Sequence, residues 1–226
     1  MELSFYNYLF WILFPYVTII IAALAARREY PPWVVRKIIH IFGLITVSLI
    51  VGLNTFLDAF IIATIFSLLF LLLSFSGILP LYQFLVDKGT RDGESKNIAY
   101  LNSMLTVLVG LILMMIFVEN VWIFMASMLS IAIGDGLGEV IGRTLGHHPY
   151  KIIRHKTIEG SIAVFLGTVI ALVSPYLLAF GAISFGIIWI FLFVALGVTI
   201  LEALSWAFTD NITIPLFVAL MLSLAT

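Results

Sequence analysis

Long apolar segments separated by short polar breaks dominate the sequence. Leu3 to Ala26 and Ser161 to Phe180 are examples that reach or approach the ~20 residues a helix needs to cross a bilayer. The apolar runs are continuous and do not alternate, which predicts helices and not a membrane barrel. We therefore predict an all-α integral membrane protein, a polytopic bundle of about eight (seven to eight) transmembrane helices. The apolar segments lie at roughly 3–26, 37–54, 56–76, 98–118, 120–138, 160–179, 183–201 and 212–226.

The composition supports this class. Hydrophobic residues make up 63% of the chain and charged residues 10%, far from the balance of a soluble domain. The polar segments at about 80–97 and 139–159 are too small to be separate domains, so we predict one transmembrane domain over 1–226. Cysteine is absent, which excludes disulfides, thiolate metal sites and cysteine nucleophiles. The expected partner is the lipid bilayer, with no nucleic acid, and the oligomeric state stays open.

The basic residues give an orientation. Threading the eight segments back and forth brings every Lys and Arg to one side, which the positive-inside rule makes cytoplasmic. We therefore expect a multi-pass protein with both termini outside and its polar clusters on the cytoplasmic face. These residues are Arg27, Arg28, Arg36, Lys37, Lys88, Arg91, Lys96, Arg143, Lys151, Arg154 and Lys156.

The densest polar block runs over about 134–161 and is the predicted main cytoplasmic catalytic loop. If the fifth helix continues through 134–146, Asp135, Glu139 and Arg143 recur every four residues and share one face. Glycines recur every four residues in a stripe beside this face and leave that stripe without side chains. They allow either the close approach of another helix, as in small-xxx-small motifs, or the close approach of a phosphate. The stripe consists of Gly134, Gly138, Gly142 and Gly146.

The two carboxylates of this face need compensation, because one acidic side chain within a membrane helix costs roughly 2.5–3.5 kcal/mol on insertion scales. One reading is an ion-pair network of Asp135 and Glu139 with Arg143. The sharper reading is a Mg²⁺ site, since Mg²⁺ prefers one or two carboxylates together with substrate phosphates and waters. Lys156, in the following basic loop, is a candidate for nucleotide phosphates, and the alternative is an ordinary loop that contacts anionic lipid head groups.

A second cluster opens the second span. Arg36 and His40 are four residues apart, next to Lys37, after the Pro31-Pro32 break. Arg and Lys at a helix end extend to the interface at little cost, which alone explains Arg36 and Lys37. A titratable imidazole in an otherwise apolar span is a functional candidate, as a proton acceptor or a phosphate partner.

A third cluster consists of Glu202, Asp210 and Asn211. Asp210 or Asn211 is explained equally well as the cap of the last helix. In the threading, all three clusters reach the cytoplasmic face, where we expect them to converge.

At these residues the sequence resembles the CTP-dependent lipid-alcohol kinases, namely phytol kinase, dolichol kinase and the fungal type of diacylglycerol kinase. The resemblance rests on the order of three signatures, which cover about a quarter of the residues between positions 36 and 215. They are Arg36-Lys37-x-x-His40; Gly134-Asp135-Gly136 with Gly142-Arg143 and Lys156-Thr157-x-x-Gly160-Ser161; and Glu202 with Asp210-Asn211.

The resemblance implies transfer of the γ-phosphoryl of CTP, with Mg²⁺ or another divalent cation, to a membrane isoprenoid alcohol such as phytol, geranylgeraniol, dolichol or another polyprenol. Phosphoryl transfer needs mostly positioning and electrostatic stabilisation. Asp135, with Glu139, would hold the metal, and Arg143 and Lys156 would bind the nucleotide phosphates. His40 or Asp210 would orient or deprotonate the alcohol, and Arg36 and Lys37 would stabilise the charge that develops on the phosphoryl group. The nucleotide site would also include Thr157, Glu159, Gly160, Asn211, Gly134 and Gly136.

Two alternatives remain. The central signature is also similar to that of phosphatidate cytidylyltransferases, which make a CDP-lipid and share a Lys-Thr-x-Glu-Gly element, here Lys156 to Gly160. Their usual C-terminal basic and His-Gly-Gly series does not follow Glu202. A transporter is the third alternative, although transporters tend to have midplane polar residues and paired repeats, whereas this chain has neither.

Overall fold

The computed structural model of the chain describes residues 5–28, 30–75, 112–113, 116–118, 120–153, 155–205 and 209–225, most of which are helical. The predicted helical membrane class agrees with five described helical segments that are long and apolar enough to span a bilayer. The expected segment at 98–118 and the polar segment at 80–97 fall wholly or largely outside the described residues. The five segments are Leu9–Arg27, Pro32–Leu53, Val121–Thr144, Ile158–Phe180 and Phe185–Leu204.

The chain divides into two compact units, Met1–Leu108 and Val109–Thr226. The first unit contains four described helices, and proline marks the start of two of them. Pro15 and Pro32 occupy first helical positions, where the missing N–H of proline has no helical partner to lose. The predicted first span is thus interrupted by a turn at Phe14. The helices are α1 (Phe5–Leu13), α2 (Pro15–Arg27), α3 (Pro32–Leu53) and α4 (Phe56–Phe75).

A short capping arrangement starts α4. The Thr55 hydroxyl donates a hydrogen bond to Asp58 Oδ2 at 2.6 Å, and the Asp58 backbone N–H donates to Thr55 Oγ1 at 3.2 Å. Such reciprocal bonds satisfy donors that a helix start leaves unpaired. Asp58 therefore has a local structural role.

The second unit contains five α-helices, a two-stranded hairpin and a six-residue π-helical stretch, here called the π segment, among its described residues. The hairpin lies within the predicted polar loop. The elements are α5 (Val121–Leu129), the π segment (Ser130–Asp135), α6 (Gly136–Thr144), β1 (Pro149–Lys151), β2 (His155–Thr157), α7 (Ile158–Phe180), α8 (Phe185–Leu204) and α9 (Asp210–Ala225).

Helix α7 is the centre of this unit and packs against α5, the π segment, α6 and α8. Near one end of the unit, aromatic rings join three helices. The Trp122 ring lies 5.2 Å from that of Tyr176, and the Tyr176 ring lies 5.4 Å from that of Phe191, both edge to face. Such pairs add to the hydrophobic burial of their rings.

The same end carries a groove whose lining includes Asn120, Trp122, Phe180 and Ser223. We call it the aromatic end. The start of α5, the end of α7 and the last turns of α9 therefore lie together. Because α7 and α9 are each longer than about 20 Å, the hairpin, at the start of α7, and the N-terminus of α9 lie at the opposite end, here called the polar end.

Candidate functional site

Asp135 lies inside the unit at the last position of the π segment, with 7% of its surface exposed. The helix continues from α5 through this segment to Thr144, past the predicted end of the fifth apolar segment at 138, and ends two residues short of Gly146. The Gly136 N–H donates to the Ile131 carbonyl five residues earlier, the pattern of a π turn. π turns inside α-helices are frequent at functional sites, and here one carries a buried carboxylate.

Glu139 and Arg143 form an ion pair one turn further along. Arg143 Nε donates to Glu139 Oε1 at 2.9 Å, and the side chains are 51% and 20% exposed for Arg143 and Glu139 respectively. The predicted carboxylate–arginine contact on this face is therefore present. The half-exposed guanidinium has five N–H donors, and this hydrogen bond uses one of them.

The glycine stripe lies against α7. A Cβ on Gly134 would be 2.6 Å from Thr168 Oγ1, and one on Gly160 would be 2.9 Å from the Gly138 carbonyl oxygen. A Cβ on Gly167 would be 2.9 Å from the Ile133 carbonyl oxygen. The close-packing reading of the stripe thus has a direct explanation, because only glycine admits this approach of the two backbones. Nucleotide binding by Gly134, Gly136 and Gly160 stays a prediction.

The hairpin contacts α7 at two points. His148 Nδ1 and Glu159 Oε1 are 2.6 Å apart, and the His148 backbone N–H donates to Glu159 Oε2 at 3.3 Å. The hydroxyls of Tyr150 and Ser161 share a hydrogen bond at 2.6 Å. In the strand register Tyr150 pairs with Lys156, so the side chains of these two residues leave the hairpin on one face.

Thr157 links the hairpin to α7. As the N-cap of α7, it accepts a hydrogen bond from the Gly160 N–H at 3.1 Å. Thr157 and Glu159, both predicted to bind nucleotide, therefore also have structural roles in the first turn of α7. Nucleotide binding by both residues stays a prediction.

Lys156 forms an ion pair with Glu202 near the end of α8. Glu202 is 4% exposed, and its side chain is 5% exposed against 23% for that of Lys156. Residues of the predicted central and third clusters thus meet inside one unit. Sequence reasoning named Glu202 but gave it no role, although it is the single charged residue in the sequence of α8.

Asp210 and Asn211 begin α9, and the Asn211 N–H donates to Asp210 Oδ1 at 3.0 Å. Capping of α9 by this pair stays a prediction, because an N-cap side chain accepts from the N–H two or three positions further on. Helix α9 packs against α5 and the π segment. At about 1.5 Å per residue, Asp210 lies about 20 Å from Ser223, and Asp135 about 22 Å from Asn120. Asp210 and Asp135 therefore lie at similar distances from the aromatic end, toward the polar end of the unit.

The N-terminal cluster belongs to the first unit. Arg36, Lys37 and His40 lie in the first half of α3, and Lys37 is 7% exposed. A side chain buried to this extent does not fit the expectation that Lys37 merely reaches the interface. Convergence of this cluster with the other two stays a prediction.

Among the residues that the structure describes, no group of three or more Asp, Glu and His side chains is arranged to hold a metal ion. Asp135 and Glu139 supply two hard carboxylates on consecutive turns, the number that Mg²⁺ takes when phosphates and waters complete its shell. The donor set therefore fits a metal that arrives with a nucleotide.

The chain was compared with known protein families, curated proteins and solved structures, and nothing matches it.

Proposed function

We propose that this protein is a lipid-alcohol kinase that transfers the γ-phosphoryl of CTP to a membrane isoprenoid alcohol. The observation that carries the proposal is the gathering of Asp135, the Glu139–Arg143 pair and Lys156 toward the polar end of one apolar helical unit. Carboxylates for a metal and cations for phosphates are thus held beside helices that suit a lipid solvent.

In this proposal Arg143 and Lys156 bind the nucleotide phosphates. Arg143 is half exposed and anchored by Glu139, so its guanidinium is ordered before an anion arrives. Lys156 is less exposed, and the two-point attachment of the hairpin fixes the backbone that carries it. Gly134, Gly136, Thr157, Glu159, Gly160 and Asn211 are the proposed surroundings of the nucleotide.

Asp135 and Glu139 are the proposed ligands of Mg²⁺ or a similar divalent cation. When bound, the ion would neutralise charge on the nucleotide phosphates. Burial of Asp135 in a π turn keeps its carboxylate out of bulk water, where it would otherwise be fully hydrated.

The transfer itself needs a base and cations. The alcohol oxygen bonds to the γ-phosphorus, and the bond from that phosphorus to the β–γ bridging oxygen breaks. The alcohol proton passes to His40 or Asp210, and the products are CDP and a lipid phosphate. Arg36 and Lys37 are proposed to stabilise charge that develops on the phosphoryl group.

The proposal includes a topology. Eight spans would put every Lys and Arg on the cytoplasmic side and both termini outside, so that a soluble nucleotide meets a bilayer-dissolved alcohol at the cytoplasmic interface. Thiol labelling of single cysteines introduced into this cysteine-free chain at Lys151 and at Phe180 tests the orientation. Labelling of both from the same side would contradict the threading.

The decisive experiment is a transfer assay with the purified full chain in lipid vesicles. The protein is incubated with Mg²⁺, γ-labelled CTP or ATP, and separately with phytol, geranylgeraniol, dolichol, diacylglycerol or phosphatidate. Label in a lipid phosphate supports the kinase, and the preferred nucleotide identifies the donor. Release of pyrophosphate with phosphatidate would establish the cytidylyltransferase instead, and absence of turnover with every pair would overturn both.

A further inference from the structure

We propose that Glu202 is a positioning residue, which holds the Lys156 ammonium ready for the nucleotide phosphates. This inference rests on the proposed phosphate-binding role of Lys156 and extends it to a residue on another helix. Lys156 and Glu202 are 46 positions apart in sequence, and their ion pair joins β2 to the end of α8.

The hairpin does not depend on Glu202 for its attachment. The His148–Glu159 and Tyr150–Ser161 hydrogen bonds fix it to α7, and Thr157 continues it directly into that helix. The contact with Glu202 therefore fixes the direction of the Lys156 side chain more than the path of the backbone.

The burial of the two partners differs in a way that suits anion binding. The Glu202 side chain is 5% exposed, whereas 23% of the Lys156 side chain is accessible. An ammonium has three N–H donors, and one carboxylate oxygen accepts one of them. The carboxylate thus holds Lys156 from the inside while an anion can approach from the accessible side.

The ion pair with Glu202 orders the Lys156 side chain before the nucleotide binds. Lysine has a flexible four-carbon side chain, and immobilising it on a ligand costs side-chain entropy. An ion pair that already restricts the side chain transfers this cost from ligand binding to folding. Loss of Glu202 should therefore weaken nucleotide binding more than it slows the transfer step.

The first test compares Glu202→Gln with the wild-type full chain in vesicles. The glutamine keeps the shape and a hydrogen-bonding oxygen but loses the charge. We expect the KM for CTP to rise about tenfold, the effect of ordering one lysine again at each binding event, with kcat within about twofold. A fall in kcat with an unchanged KM would overturn the inference.

A charge swap separates positioning from a merely structural contact. The double variant Lys156→Glu with Glu202→Lys restores an ion pair, so its thermal midpoint should lie above that of Lys156→Glu alone. Its KM for CTP should remain at least about tenfold raised, because the cation now starts from α8. Recovery of the wild-type KM in the swap would show that only the contact matters and would overturn the inference.

Lysine reactivity tests the positioning without any turnover. An amine-reactive reagent is applied to nucleotide-free protein, and modification of Lys156 is measured by mass spectrometry relative to exposed Lys151 in the same hairpin. Glu202→Gln should raise the ratio several-fold, since a pairing that shields the amine is weakened. An unchanged ratio overturns the positioning of Lys156 even in an active enzyme. If the ratio rises but the protein transfers no phosphoryl group, Glu202 still orders the Lys156 side chain, and the proposed kinase function is wrong.

Discussion

Gly138 packs so closely against Val164 that a methyl group on its Cα would overlap the valine side chain. We expect Gly138→Ala to lower the free energy of unfolding by about 1–3 kcal/mol, because the Val164 side chain must move, or α6 and α7 must shift apart, to admit the methyl group. Thermal unfolding in detergent measures the change. Gly186→Ala in α8 is the matched control, since nothing lies within 4 Å of the added methyl group there. Equal midpoints for the two variants would contradict the close helix contact.

Asp135→Asn tests the proposed metal ligand with little change in shape. The amide has one oxygen and no charge, so it should bind Mg²⁺ poorly and lower kcat by at least about a hundredfold. The thermal midpoint should stay near the wild-type value, because an uncharged group is easier to bury. Full transfer activity in this variant would remove Asp135 from the metal site.

The ion pair between Lys156 and Glu202 should affect stability asymmetrically. Lys156→Ala removes the ammonium that is paired with the buried Glu202 carboxylate and should cost about 3 kcal/mol of stability. The double variant Lys156→Met with Glu202→Leu should recover most of that loss, because apolar side chains of similar size replace both charges. Chemical unfolding of the three proteins measures this. A double variant as unstable as Lys156→Ala would indicate that other contacts of Glu202 dominate.

Thr157→Ala should lower the free energy of unfolding by about 1 kcal/mol, since the Gly160 N–H loses the oxygen that caps α7. Thr157→Ser keeps that oxygen and should remain close to the wild type. The comparison is made by thermal unfolding in detergent without nucleotide. If serine were as damaging as alanine, the cap would not explain the role of this residue.

The apolar pattern predicted most described helices because segment length and hydrophobicity are local properties. The start of α3 follows from the Pro31-Pro32 break in the same way, whereas the break at Phe14 within the predicted first span was not predicted. The fifth segment was predicted to end at 138, and its helix continues to Thr144. The glycine stripe left two explanations open, and the position of α7 shows the close helix contact, whereas phosphate binding stays a prediction.

Local sequence patterns could not predict the hairpin or the ion pair between Lys156 and Glu202. Each strand has three residues, too few for a recognisable alternation, and the register depends on where α7 begins. The ion pair depends on tertiary contact across 46 positions. The sequence contained one signal for this ion pair, because an acidic residue such as Glu202 inside an apolar span is usually paired with a cation or another polar group. The π segment had no comparable signal in the sequence.

The π segment also sets the rotational phase of everything that follows it. A turn with one residue more than an α-helical turn shifts the next residues by about 100° around the axis. With that shift, the glycines of α6 face α7. Removing a single residue between Ser130 and Asp135 would turn this face away and point bulkier side chains at α7. The length of this short stretch is therefore as constrained as the identity of the carboxylate at its end.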